Sequence, residues 1–153
     1  MRAVVQRVAK AHVEVEGELV ARIERGLLVL LGVERADTER EADLLAEKIA
    51  KLRIFPSDAK PIDRSVVEIG GAALVVSQFT LASDVTGGNR PSFLEAAPPD
   101  VGERLYLRFA DVLGRRGVST QTGRFGAHMR VALVNDGPVT LVLSCPAGGD
   151  VGN

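Results

Sequence analysis

Alternating apolar and polar positions dominate the beginning of the chain. Residues 2–8 and 12–20 alternate in this way, and Glu16-Gly17 provides a plausible hairpin turn within the second stretch. Residues 26–33 form a continuous apolar run instead, and residues 72–79 resemble them. Alternation is typical of a strand with one solvated face, and an unbroken apolar run is typical of a strand buried on both faces. The pattern therefore predicts strands in all four stretches.

Two segments with helical spacing interrupt these strands. Thr38 and Glu41 have the spacing of a capping box, which predicts a helix over residues 38–53. A second helix is predicted to open at Pro99-Asp100 and to end at Gly114 or Gly117. The apolar residues that recur at helical spacing in the two segments are Leu45, Ile49, Leu52, Leu105, Phe109, Val112 and Leu113.

Further strands are predicted over residues 118–120, 129–134 and 139–144. Strands therefore dominate, and the two helices are isolated segments. This order predicts an α+β fold, a curved, partly antiparallel, barrel-like sheet with two main helices packed on it. With 153 residues, a single domain over residues 1–145 is expected, and the Pro- and Gly-rich residues 146–153 are predicted to be a disordered tail.

Composition narrows the class of protein. A hydrophobic content of 46% and a charged content of 25% are ordinary for a soluble globular domain, and no apolar run approaches the ~20 residues of a membrane span. The net charge of −1 argues against binding nucleic acid through a broad basic surface. A local patch stays open as an alternative to scattered surface charges, with Arg53, Arg64, Arg90, Arg115, Arg116, Arg124 and Arg130 as candidates.

Cysteine and histidine content bears on location and on metals. A single Cys145 forms no internal disulfide, and an early charge at Arg2 disfavours a signal peptide, so a cytoplasmic location is expected. One cysteine and the distant His12 and His128 give no metal-ligand spacing, and no cofactor is expected. Both histidines are expected to have a structural or surface role, and Cys145 is favoured as a small buried hydrophobe.

The clearest candidates for chemistry lie where two apolar strands end in small polar residues. Ser77-Gln78-Phe79-Thr80-Leu81 follows one strand, and Asn135-Asp136-Gly137-Pro138 separates two others. The hydroxyl of Thr80 is a candidate nucleophile, but it needs an adjacent base, and Gln78 cannot serve as one. Taken alone, Ser77 and Thr80 are more simply hydrogen-bonding residues at a strand end, and Asn135–Pro138 is ordinary turn chemistry with a trans bond.

Collinear motifs over residues 1–145 resemble those of the D-aminoacyl-tRNA deacylase (D-tyrosyl-tRNA deacylase) family. Seven stretches match in order and with consistent spacing, which makes the set more specific than any single motif. The stretches are Gln6–Val8, Gly26–Val33, Arg53–Phe55, Val75–Leu81, Arg90–Phe93, Thr120–Phe125 and Leu133–Thr140. Two departures are the loop Lys60–Val66, which lacks a Met-Asn pair often found in the family, and the tail beyond Cys145.

The resemblance implies an esterase that releases free D-amino acid from the 3′ end of aminoacylated tRNA, with glycine mischarged on a tRNA as a further candidate substrate. It implies a homodimer with shared active sites, in which a Gly137–cis-Pro138 corner enters the partner's site and rejects L-aminoacyl esters. Ser77, Gln78, Phe79 and Thr80 correspond to residues lining the catalytic pocket, and Phe125 to its wall. Arg7 corresponds to a residue that steadies the incoming corner across the dimer. The resemblance also implies that the 2′-hydroxyl of the tRNA activates the attacking water.

Two other functions stay open on the residues themselves. One is an esterase with Thr80 as a covalent nucleophile. The other is a dimeric module that binds a tRNA end or a small molecule without turnover. Release of free D-amino acid from a charged tRNA separates the binding module from the two enzymes.

Overall fold

A computed structural model describes residues 1–152 of the chain. Its six strands are β1 (Arg2–Val15), β2 (Glu18–Ile23), β3 (Gly26–Gly32), β4 (Ala72–Ser77), β5 (Ser119–Thr122) and β6 (Arg130–Ser144). Its two α-helices are α1 (Glu39–Ala50) and α2 (Pro99–Arg115), and a short 3₁₀ turn covers Phe79–Ala82. The predicted α+β class with two main helices is confirmed.

The strands form one curved, mixed sheet in the order β2-β1-β3-β4-β5, and β6 pairs with the free side of β1. Strand β1 is antiparallel to β2, β3 and β6, whereas β3, β4 and β5 run parallel to one another. The long strands β1 and β6 bend the sheet into a nearly closed, barrel-like shape. The carboxyl ends of the parallel strands β3 and β4 consequently lie side by side, where substrate sites commonly form in α/β sheets.

The helices lie against one face of the sheet and close the larger part of the core. Leu45 and Ile49 of α1 and Phe109 and Leu113 of α2 are fully buried there. The two helices are joined by a bidentate ion pair, in which the Arg108 guanidinium donates to both oxygens of Asp43 at 2.6 and 2.7 Å. A second apolar cluster fills the opposite, concave face of the sheet and includes Val8, Val13, Ile23, Leu28, Leu74 and Val76.

The capping box predicted at Thr38 begins α1 as expected. The backbone N–H of Thr38 donates to the Glu41 carboxylate at 2.8 Å, and the Thr38 hydroxyl accepts from the Arg40 backbone at 3.3 Å. Burial acts to raise the pKa of Glu41, but hydrogen bonds from Thr38 and from the Gly148 backbone outweigh it and hold the pKa at about 2. The carboxylate is therefore charged at neutral pH although it is almost inaccessible.

Residues 146–152 are placed against α1, where the sequence predicts a disordered tail. The Gly148 N–H donates to Glu41 at 3.1 Å, and the Gly149 carbonyl accepts from Arg40 at 2.9 Å. Gly152 exchanges two backbone hydrogen bonds of 2.8 Å with Ser144. Glycine and proline supply turn geometry here, with Gly148 at a φ of +72°, so their abundance serves a folded turn.

Within residues 1–152, no helix is long and apolar enough to cross a membrane. The same range contains no group of three or more His, Cys, Asp or Glu side chains placed to hold a metal ion.

Candidate active site

A pocket of about 500 Å³ lies at the carboxyl ends of β3 and β4, beneath the start of α2. Its walls are mostly apolar, and a short polar edge comes from the segment that follows β4. The residues that line it are Leu31, Val33, Val76, Ser77, Gln78, Phe79, Ala96, Ala97, Pro99, Gly102, Tyr106, Phe125, Gly126, Ala127, His128, Met129 and Val131. A concave apolar site with a few convergent polar groups is the usual form of a small-molecule site.

The polar edge is built where β4 ends and the chain turns into the 3₁₀ segment. The Gln78 N–H donates to the Leu31 carbonyl at 2.8 Å, so Gln78 stays anchored to β3. Helix geometry leaves the first N–H groups of the turn, those of Phe79 and Thr80, without an intrahelical acceptor. Backbone donors of this kind at the lip of a pocket are suited to stabilise an oxyanion.

The Thr80 hydroxyl lies beside the pocket, and its neighbour is an amide. The Gln78 side-chain NH₂ donates to the Thr80 oxygen at 2.5 Å. Ser77, Gln78 and Phe79 line the pocket, whereas Thr80 is not among the lining residues. The hydrogen bond supplies the Thr80 oxygen with a donor, and the amide that provides it cannot take up the Thr80 proton.

Tyr106 and Phe125 form the inner wall of the pocket. The Tyr106 hydroxyl donates to the Val75 carbonyl at 2.8 Å, and its ring lies 5.8 Å from the ring of Phe125. Burial raises the pKa of Tyr106 to about 12, so the hydroxyl stays protonated at neutral pH. Gly102 of α2 faces the same ring, and a Cβ at that position would lie 3.4 Å from it, in van der Waals contact. Phe125 is thus positioned from the side of α2.

The sequence interpretation missed Tyr106, Gly102 and Met129 and set His128 aside as a surface or structural histidine. Tyr106 lies between the apolar residues of α2, so its spacing signals a core position and nothing more. His128 and Met129 precede β6 in a loop, where no periodic pattern distinguishes a lining residue. The one available signal was their closeness in sequence to Phe125, which the resemblance had placed at the pocket wall.

The second candidate segment forms an irregularity within β6 instead of a hairpin corner. Both halves of β6 pair with β1, but the register shifts between the pairs Gln6–Thr140 and Val8–Asn135. Residues 136–139 are therefore excluded from the ladder, as in a large β-bulge. The Gly137–Pro138 peptide is cis, as the resemblance implies, and Gly137 has a φ of +142°. Its neighbours are held by the Asn135 side chain, which accepts from the Val139 N–H at 3.0 Å.

Arg7 supports this bulge from β1 of the same chain. Its guanidinium donates to the carbonyl oxygens of Asp136 and Ile54, each at 2.7 Å, and more weakly to Pro61 at 3.4 Å. The side chain is 10% exposed. Arg7 thus steadies the bulge of its own chain, and its contact with a corner arriving from a partner stays a prediction.

The structure thus brings the predicted residues together in two groups. Ser77, Gln78, Phe79 and Phe125 share the pocket. Arg7, Gly137 and Pro138 share the bulge, and none of these three lines the pocket. Within one chain the two groups are therefore separate.

Comparisons with known proteins agree with this architecture. The model of the family described as D-Tyr-tRNA(Tyr) deacylase matches residues 4–144. A protein of Geobacter metallireducens named D-aminoacyl-tRNA deacylase is 58% identical over 146 residues, covering 95% of this chain and 97% of that protein. Another of that name, from Jannaschia sp., is 56% identical over 147 residues, which cover 96% and 100% of the two chains.

Solved structures share the fold. A structure titled c-Myc DNA Unwinding Element Binding Protein has a TM-score of 0.90 at 42% identity, with 96% of this chain and 100% of that chain covered. A structure titled as a probable eukaryotic D-amino acid tRNA deacylase has a TM-score of 0.79 at 22% identity, with 92% and 97% covered. The family model and the curated relatives extend over nearly the whole sequence, and the chain belongs to the D-Tyr-tRNA(Tyr) deacylase family.

Proposed function

We propose that this deacylase hydrolyses the ester bond between a D-amino acid and the 3′-terminal adenosine of tRNA. The observation that carries the proposal is the pocket at the end of β4, where an apolar cavity meets the backbone donors of Phe79 and Thr80. The apolar walls suit a nucleobase and its sugar, and the donors suit the oxyanion that forms when water attacks an ester. A single well-aimed donor of this kind stabilises the transition state by about 3–4 kcal/mol.

Chiral selection is assigned to the bulge of a second copy of the chain. Gly137 and Pro138 do not line the pocket of their own chain, so they can act on a substrate only if another subunit brings them to it. The bulge has no side chain at Gly137 and no donor at Pro138, so it presents carbonyl oxygens. Those oxygens would collide with an L side chain and leave room for a D side chain or for glycine. Arg7, from its own chain, holds the bulge in shape.

The water is activated by the 2′-hydroxyl of the terminal ribose, with the protein supplying position and desolvation. Support comes from the side chains of the pocket. Those with titratable groups are Tyr106, whose pKa is raised to about 12, and His128 at the exposed rim. The Thr80 oxygen accepts a hydrogen bond from the Gln78 amide, which cannot act as a base. The partners of the enzyme are then the aminoacylated 3′ end of tRNA and a second subunit, and its location is the cytoplasm.

One assay tests this function directly. The purified protein is incubated with the same tRNA carrying D-tyrosine, L-tyrosine or glycine, and release of the amino acid is followed with time. We expect fast release of D-tyrosine, slow release of L-tyrosine and measurable release of glycine. Binding of all three without release would instead assign the chain to the non-enzymatic binding modules.

Substitution of Thr80 separates water attack from a covalent mechanism. We expect Thr80→Val to retain part of the activity and Thr80→Ser to retain most of it, because the hydrogen-bond partner of the hydroxyl is an amide and not a base. Loss of a true nucleophile lowers kcat by several orders of magnitude. Single-turnover kinetics and mass spectrometry of quenched reactions provide the measurement, and an acylated Thr80 peptide would overturn the proposal.

Shared active sites predict that two inactive variants restore each other. Gly137→Ala impairs the bulge, and Gly102→Leu places a side chain against Phe125 and fills the pocket. In a mixed dimer, one site combines an intact pocket with an intact bulge from the other chain. We therefore expect co-expression of the two variants, differently tagged and purified through both tags, to yield an active protein. If each pocket used its own chain's bulge, the mixed dimer would be as inactive as its parents.

A further inference from the structure

An exposed pair of aromatic rings stands at the mouth of the pocket. The rings of Phe79 and Phe93 meet edge to face, with centroids 5.1 Å apart and an interplanar angle of 70°. Phe79 is 58% exposed and Phe93 is 37% exposed. Large aromatic side chains are usually more deeply buried than this, so two in contact at the rim of a binding site mark a surface for another molecule. We call Phe79 and Phe93 the aromatic pair.

The loop that carries Phe93 is fixed at its base. Asp84 and Ser92 exchange two backbone hydrogen bonds of 2.9 and 2.8 Å, which close a small loop with Arg90 exposed within it. On the far side, the Phe93 carbonyl accepts from the Ala96 N–H at 3.1 Å. The position of Phe93 is therefore set by backbone contacts on both sides, and its ring lies next to Phe79 without being part of the core.

We propose that the aromatic pair stacks the base of the nucleotide that precedes the terminal adenosine of the tRNA, and that Arg90 lies near its phosphate. The inference rests on the proposed function, because it takes the pocket to hold the terminal adenosine. Phe79 lines the pocket and also belongs to the aromatic pair. An RNA strand that leaves the pocket at its mouth would therefore pass over the two rings. Unpaired nucleotides are bound in other proteins by the same combination of aromatic faces and cationic side chains.

An RNA strand suits this surface better than a purely apolar partner does. The loop combines Phe93 with the cationic Arg90, and the exposed Arg124 precedes the pocket residue Phe125. A polyanionic strand satisfies both the rings and the guanidinium groups. Stacking on a ring accepts any base, which suits a strand end common to many tRNAs.

Two short substrates test the proposal. One is 3′-D-tyrosyl adenosine, and the other is the dinucleotide cytidylyl-adenosine carrying the same 3′ ester. We expect the wild-type enzyme to have a kcat/KM about tenfold higher for the dinucleotide, mostly through KM, because one stacked base is added. Phe93→Ala should remove that advantage and leave hydrolysis of the nucleoside ester unchanged. The matched control is Leu94→Ala, since Leu94 is 75% exposed and lies beside the pair without belonging to it.

A third substrate separates base from phosphate. In a dinucleotide whose first nucleotide is abasic, the phosphate is kept and the stacked base is lost. We expect Phe93→Ala to have no effect on this substrate, whereas Arg90→Ala should still weaken its binding, and more so at low salt. Equal kcat/KM values of the wild-type enzyme for the nucleoside and the dinucleotide would overturn the proposal.

A further measurement shows whether the aromatic pair belongs to a subunit interface. Sedimentation of Phe93→Ala at micromolar concentration should give the wild-type mass, and a fall to the monomer would assign the pair to the contact between two copies instead.

The proposed function itself would be contradicted if the wild-type enzyme hydrolysed none of the three short substrates and did not hydrolyse full D-tyrosyl-tRNA either. A wild-type enzyme that is active but indifferent to the second nucleotide contradicts only the inference about the aromatic pair.

Discussion

Gly137→Ala is expected to lower kcat/KM for D-aminoacyl-tRNA by about 100-fold, the cost typical of moving a group by roughly 1 Å in an active site. A Cβ at this position would lie 2.8 Å from the Val139 side chain, 2.9 Å from the Val139 backbone nitrogen and 3.0 Å from the Arg7 guanidinium. The backbone and the hydrogen-bonded Arg7 cannot move away cheaply. Gly137 also has a φ of +142°, which side-chain-bearing residues rarely adopt. The bulge must therefore shift, and with it the carbonyl oxygens assigned to chiral selection.

Gly137→Ala should retain the fold, and its effect on the rate should exceed its effect on stability. Kinetics with D- and L-tyrosyl-tRNA, together with thermal unfolding followed by circular dichroism, measure the two separately. The matched control is Gly17→Ala, where φ is +83° but nothing lies within 4 Å of the added Cβ. That control also places alanine at a positive φ, but without crowding, and should keep full activity. A Gly137→Ala enzyme with the wild-type rate would show that the bulge does not touch the substrate.

Local signals made the framework of this fold predictable from the sequence. The capping box at Thr38 and Glu41 marked the start of α1 because both partners lie within one turn of helix. The apolar run at residues 26–33 became the buried strand β3, and Glu16-Gly17 became a turn with both residues at positive φ. These features depend on residues that are close together in the sequence, so they can be predicted from the sequence alone.

Long-range contacts could not be derived in the same way. The pocket wall needs Tyr106 of α2 to reach the Val75 carbonyl of β4, a pairing across 31 residues that no periodicity encodes. The bulge at residues 136–139 depends on the register between β6 and β1, so its sequence looked like an ordinary turn. The contacts of Arg7 could not be predicted either, because its partners Ile54 and Asp136 are distant in the chain. For Arg7, Gly137 and Pro138 the family resemblance supplied the position and the structure supplied the contacts, whereas the role of Tyr106 came from the structure alone.

Removal of the 2′-hydroxyl of the terminal adenosine, which the proposed mechanism uses to activate water, should have the largest effect on the rate. D-tyrosyl-tRNA that ends in 2′-deoxyadenosine, with the ester on the 3′ oxygen, is expected to be hydrolysed about a thousandfold more slowly. The physical reason is that the Thr80 oxygen accepts from the Gln78 amide and the raised pKa of Tyr106 keeps its hydroxyl protonated. Binding should persist, because the pocket proposed to hold the base and sugar has mostly apolar walls.

The measurement pairs single-turnover hydrolysis of the deoxy substrate with its inhibition constant against the normal substrate. His128 is the side chain that offers a rival base, because its imidazole lies at the pocket rim. His128→Ala should therefore retain most of the wild-type rate on the normal substrate, while the deoxy substrate stays slow for both enzymes. If His128→Ala abolished hydrolysis and the deoxy substrate reacted at the normal rate, the imidazole would replace the ribose as the base, because proton transfer would then depend on the protein alone.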